Sequence, residues 1–118
     1  MDKKIYFNIA GKKHIINVKE LSFFGKALGL MFSSKERAKP LLFNFYDLSK
    51  ESIHSLFVFY SFLAVWLDNT DSVVDVRIVK PWKFSIKPKE KFVKLIEIPF
   101  NKKYSELIDV IVEEFRKI

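Results

Sequence analysis

Apolar and polar residues alternate with a period of two through most of this chain, and a sustained helical period takes over at Tyr104. Alternation puts successive side chains on opposite faces of a strand, so most of the chain must become sheet with one face buried. Ile5, Phe7 and Ile9 alternate with Tyr6 and Asn8. After Gly11-Lys12 the pattern resumes from His14 to Lys19, with Ile16 and Val18 on one face, which predicts a β-hairpin. Further strands are predicted at Leu41 to Tyr46, His54 to Phe59, Phe62 to Leu67, Val73 to Val79 and Phe92 to Ile98, with a short one at Phe84 to Lys87. In the hairpin closed by Asp68-Asn69-Thr70-Asp71-Ser72, alternation places Val74, Val76 and Ile78 inward and Asp75 and Arg77 outward.

Two segments break the alternation. Phe23, Phe24, Ala27, Leu28 and Met31 fall at helical spacing, which predicts a short N-proximal helix within Leu21 to Phe32, capped by Ser22. From Tyr104 to about residue 117, the residues Leu107, Ile108, Ile111, Val112 and Phe115 continue one apolar stripe, which predicts an amphipathic C-terminal helix. Ser105 is its expected N-cap, and Glu106 early with Arg116 late complements the helix dipole. About eight short strands with two helices predict a mainly β fold, either a jelly-roll-like β-sandwich or a squashed barrel.

The length of 118 residues suits a single domain with one core, spanning 1–118. The chain has no cysteine, which excludes disulfides, thiolate metal sites and a cysteine nucleophile and fits a reducing cytoplasm. No signal-peptide pattern follows Met1. The most apolar stretch, Leu56 to Leu67, falls short of the roughly 20 residues a bilayer span needs, so the expected protein is soluble. The net charge of +7 is carried almost entirely by lysine, with Arg37, Arg77 and Arg116 the three arginines. Codon bias and lysine-glutamate enrichment explain such an excess most plainly. Polyanion binding is the alternative.

Several segments fall in a familiar order. Gly29-Leu30-Met31-Phe32 precedes His54-Ser55-Leu56-Phe57-Val58-Phe59. Val65-Trp66-Leu67-Asp68, Val73-Val74-Asp75-Val76, Lys80-Pro81-Trp82 and Leu95-Ile96-Glu97-Ile98-Pro99 follow. Over about Val18 to Phe100 these resemble the domain-of-unknown-function family 192 (DUF 192), especially its small archaeal members. The resemblance implies a compact jelly-roll β-sandwich with no assigned molecular function. Ser33 stands where that family usually has Arg, and Asn101 where a Gly commonly follows the late strand.

Candidate site residues come from the residue types that chemistry needs. His54 is the histidine within the resemblance, and a catalytic role would require an orienting carboxylate such as Asp68. An imidazole hydrogen-bonded at the core edge is the plainer reading. His14 and His54 lack metal-ligand spacing, so no metal or other cofactor is expected. Trp66 beside Asp68, and Trp82 between Lys80 and Lys83, suit a platform for a ring or an anion if exposed, and cap the fold if buried. Glu97 shares a face with Val93 and Leu95, and a solvent-facing position opposite a lysine is expected.

The stretch Lys80–Lys94 sets six lysines against Glu90, with Trp82, Phe84 and Phe92 interleaved. A solvated loop is its plainer reading. Neutralising Lys80, Lys83 and Lys87 should then act like removing Lys3, Lys4 and Lys12. These residues point to a cytoplasmic, non-enzymatic binding or accessory domain. Its partner would be a small polar or anionic ligand or a protein, met at a surface containing His54, Trp66, Asp68, Trp82 and Lys83. A hydrolase- or lyase-like enzyme using His54, and a polyanion or RNA binder using Lys80–Lys94, are the alternatives.

Overall fold

The computed structural model describes residues 2–21, 30, 33–49, 52–53, 55 and 58–117, with 46–49 as backbone. Six strands, β1 (Asp2–Ile9), β2 (Lys12–Glu20), β3 (Leu41–Ser49), β4 (Phe62–Leu67), β5 (Val73–Val79) and β6 (Phe92–Pro99), precede one helix, α1 (Ser105–Arg116). They form one sheet in the order β1-β2-β3-β6-β4-β5. The first hairpin turns on Ala10 and Gly11, both at positive φ, as a two-residue turn matched to strand twist requires. β2 meets β3 in parallel over Lys19↔Leu41 and Glu20↔Leu42, and the other pairings are antiparallel. The Asn8 amide donates to the Asp71 carbonyl at 2.8 Å, which draws β1 towards the start of β5. The sheet is therefore curled into a half-barrel.

Two apolar clusters lie on its two faces. Inside the curl, Ile5, Phe7, Ile16, Leu42, Val65 and Ile96 pack with Ile108 and Ile111 of α1. Outside, Phe43, Phe62, Ala64, Trp66, Phe92 and Leu95 are covered by Leu30, Ala38, Val58 and Tyr60 from the connecting segments. Covered on both sides, β4 is buried at every position, which is why it reads as an unbroken apolar run. The whole predicted stripe of α1 packs against the inner cluster. Its N-cap is Tyr104 rather than Ser105, whose hydroxyl donates to the Lys102 carbonyl.

The structure departs from the sequence reading at four places. The register of β4 against β5 shifts between Trp66 and Leu67, where Trp66 opposes Asp75 and Leu67 opposes Val73. Val74 is the extra residue and consequently packs with the outer cluster, while Val73 and Val76 pack with the inner one. Asp75 keeps its predicted face opposite Val76 but is buried, because the outer face is itself covered, and Ile78 is exposed on the edge strand. Phe84 to Lys87 reduces to one bridge, Ile86 to Ile53, because Pro88 follows and the segment crosses over the sheet instead of joining it. Of the predicted strand His54 to Phe59, residues 54, 56 and 57 lie outside the described residues; Ser55, Val58 and Phe59 belong to none of the six strands, and the Val58 amide donates to the Ser55 carbonyl. Glu97 is buried rather than facing solvent. The predicted N-proximal helix lies outside the described residues.

Candidate functional site

The residues singled out in the sequence do not converge on one surface. Trp66 and Asp68 lie at the end of β4 that pairs with Val73, whereas Trp82 and Lys83 follow Val79, opposite Phe62 at the other end. About 20 Å of strand separates these ends. Trp66 is fully buried against Phe92, and its Nε1 has no hydrogen-bond partner among the described residues, so its ring caps the core and presents nothing to solvent. Asp68 holds its own loop: one carboxylate oxygen accepts from the Thr70 amide and hydroxyl and from the Ser72 amide. Burial, the largest single influence, pushes its carboxyl up, but these three bonds together outweigh it and leave the carboxyl below the usual range. His54 lies outside the described residues.

Trp82 and Lys83 belong to a built feature that the sequence did not announce. The segment 80–91 crosses the outer face of the sheet, where Ile53, Val58, Tyr60 and Ile86 pack, and it meets Ile53 in an antiparallel bridge at Ile86. Ser55, fully buried, also ties to this segment. Its hydroxyl donates to the Lys80 carbonyl at 2.6 Å and accepts from the Lys83 amide at 2.7 Å. Its backbone adds bonds to Lys83 and Trp82. Serine pairs readily with local backbone, and here it does so across 28 residues of sequence. Nearer β6, buried Asp75 accepts from the Lys89 amide at 2.9 Å and lies 3.7 Å from Arg77.

Glu97 opposes Leu41 and Ala64 and lies beneath the outer cover. Burial pushes its carboxyl up to about 8. Tyr60 is nearby; its phenol is raised first by burial and further by the Glu97 charge, against a lowering hydrogen bond with Ser33. The Ser33 hydroxyl also bonds the Leu30 carbonyl. Glu97 and Tyr60 in this group are buried, and Ser33 reaches the surface beside them.

At the end of the half-barrel where β1 begins and β6 finishes, three clefts adjoin. One of about 760 Å³ is lined by Lys35, Lys102 and Lys103, with Glu36 and Asp109. The next, about 420 Å³, shares Lys103 and adds Lys3, Lys4 and Lys39 beside Asp2. The third, about 580 Å³, shares Asp2 and Lys39 and adds Lys19, Arg37 and Ser33. Asn101 fixes the first wall, donating to the Lys35 and Ala38 carbonyls and accepting from the Tyr104 amide. Eight cations thus face three carboxylates. They come from four separate segments, so no local sequence pattern could have shown the band.

Among the described residues there is no group of three or more side chains suited to a metal ion. Nor does a described helix have the length and apolar character to cross a membrane.

No family model matches the chain. Two solved structures share its fold at 13% identity. A putative transcription regulator from Sinorhizobium meliloti superposes with a TM-score of 0.71, covering 90% of this chain and 84% of that one. A protein of unknown function from Novosphingobium aromaticivorans gives 0.69, with 88% and 76% covered. Likeness at that identity speaks for the fold alone. Sequence kinship comes from a UPF0127 protein of Pyrococcus horikoshii, 37% identical over 84 residues, which cover 71% of this chain and 72% of that protein. On that identity and coverage, the chain belongs to UPF0127, a family whose function is not established.

Proposed function

We propose that the protein is a non-enzymatic binding module for small anionic ligands, held in the three adjoining clefts at the end of the half-barrel. The observation that carries this reading is the convergence of eight cations on one continuous concave surface. Concave walls of low dielectric focus the field of such a cluster and raise the local concentration of anions. Lys39 and Lys103 each line two clefts, so they occupy the points where a ligand bridging clefts would be held.

Finer readings belong with this proposal. We identify the family with domain-of-unknown-function family 192, in its archaeal form, and place the chain in the cytoplasm on its lack of cysteine. The crossing segments on the outer face, bridged at Ile53 and Ile86, supply the beginnings of the second layer that a jelly-roll sandwich has.

Calorimetric titration with inorganic pyrophosphate tests the function. Binding should weaken at high salt, and the Lys39→Gln/Lys103→Gln pair should lower affinity about tenfold, or roughly 1.4 kcal/mol. A Lys12→Gln/Lys13→Gln pair at the far end should leave it unchanged. Equal losses from both pairs would dismiss the clefts as a site.

A further inference from the structure

A different surface, independent of the clefts, carries a second binding reading. Segment 80–91 exposes Lys80, Lys83, Lys87, Lys89 and Lys91, with Glu90 its one acid. At its start stand three exposed rings: Phe59 at 63%, Trp82 at 45% and Phe84 at 81%. Phe59 and Trp82 meet edge to face, with centroids 5.6 Å apart. Large rings left in water forgo the burial that a core position supplies. Here the backbone holds them out. The four bonds of Ser55 fix residues 80–83, and Trp82 adopts φ 63, a conformation unfavourable for any residue with a side chain. Beyond the rings, paired bonds between Ile53 and Ile86 and the Asp75 bond to Lys89 anchor the same segment to the sheet. The platform is therefore formed before any partner arrives, which lowers the ordering cost of binding.

The arrangement discriminates between partners. The lysines run as a row along a segment that crosses the sheet, over about 20 Å, with the rings at one end. A bilayer surface would favour rings and cations gathered at one protruding tip. A row of cations beside stacking faces matches a chain of phosphates carrying bases. We propose that this face binds single-stranded nucleic acid, with bases stacking on the Phe59–Trp82–Phe84 rings and phosphates following the lysine row.

Trp82 makes the test direct, because the other tryptophan, Trp66, is buried and serves as an internal reference. Titration of the whole chain with a labelled oligouridylate should quench exposed tryptophan fluorescence and raise anisotropy. Log affinity should fall linearly with log salt, and Lys80→Gln/Lys83→Gln/Lys87→Gln should flatten that slope by about 2, at roughly 0.7 per phosphate contact. The comparison triple is Lys12, Lys13 and Lys117. Lys3 and Lys4 do not serve, since both line a cleft. Trp82→Ala should weaken oligouridylate at least fivefold yet leave heparin, which has no bases, unchanged. Phe84→Ser repeats that test at a position too exposed to affect folding. Three results would overturn the proposal: equal slopes from the two triples, ring variants that spare oligouridylate, or quenching by phosphatidylglycerol vesicles without any by the oligonucleotide.

Discussion

Replacing Glu97 by Gln should make the protein more stable at pH 8 and change it little at pH 5. Glu97 is 6% exposed among Leu41, Ala64 and Leu95, and burial lifts its carboxyl from an ordinary 4.5 to about 8. Its pKa is higher folded than unfolded, so folding takes up a proton at any pH between those values. Its contribution is therefore fully present below pH 4.5, falls as pH rises, and is lost above pH 8. Each pH unit inside the window is worth about 1.4 kcal/mol, so the loss from pH 5 to pH 8 is roughly 3–4 kcal/mol. Gln keeps the shape and stays neutral, which removes this dependence. Tyr60, the neighbour whose titration is coupled to Glu97, is raised above 10 and stays protonated throughout. Urea denaturation of both proteins at pH 5, 6.5 and 8 measures the effect, with the difference in unfolding free energy growing with pH. A difference that is flat, or that shrinks with pH, would refute a buried neutral carboxyl at this position.

The other tests address the packing of α1 and the Ser55 hydrogen bonds to residues 80–83. Ile111 is fully buried beneath the inner sheet face, so Ile111→Ala should cost about 2–5 kcal/mol in denaturant melts, and Ile111→Asp should unfold the chain. A truncation before Tyr104 that melts unchanged would remove α1 from the core. Ser55→Ala takes away two side-chain hydrogen bonds, each worth about 0.5–1.5 kcal/mol, and should speed amide exchange at Lys83 far more than at β4. Uniform acceleration would mean that Ser55 supports the whole fold and not the 80–83 turn.

The parts of the fold that were legible in the sequence are local. The β1–β2 and β4–β5 hairpins and α1 follow from periodicity because their partners are near in sequence. The insertion of β6 between β3 and β4, and the parallel contact of β2 with β3, depend on distant pairings that no window of residues records. One irregularity, the register shift at Trp66 and Leu67, was enough to put Val74 on the face opposite Val76, and Asp75 was buried by a cover that alternation does not record. Glu97 was misplaced for another reason. Alternation correctly set it beside Leu95, but whether that face meets water depends on the crossing segments, which lack a strand pattern. The lysine row was visible because it is contiguous; the clefts, gathered from four segments, were not.

The distribution of charge bears on whether the excess of lysine is compositional. A drift in composition should load every exposed surface alike. The helix contradicts that: α1 carries Glu106, Asp109, Glu113 and Glu114 against Arg116, four acids to one base, although half its circumference faces solvent. Segment 80–91, of the same length, carries five lysines against one acid. The central strands take little part, since β4 has no charged residue, and in β6 Lys94 pairs with Asp71 while Glu97 is buried. Positive charge is thus scarce on the helix and the central strands, and most of the described cations lie at the clefts or along the crossing segment. Segregation of this kind sharpens the local field far more than the same net charge spread evenly. It also forgoes favourable pairing within the lysine row, where neighbouring ammonium groups repel at short range. Such repulsion beside three exposed rings is what the proposed single-stranded nucleic acid would relieve.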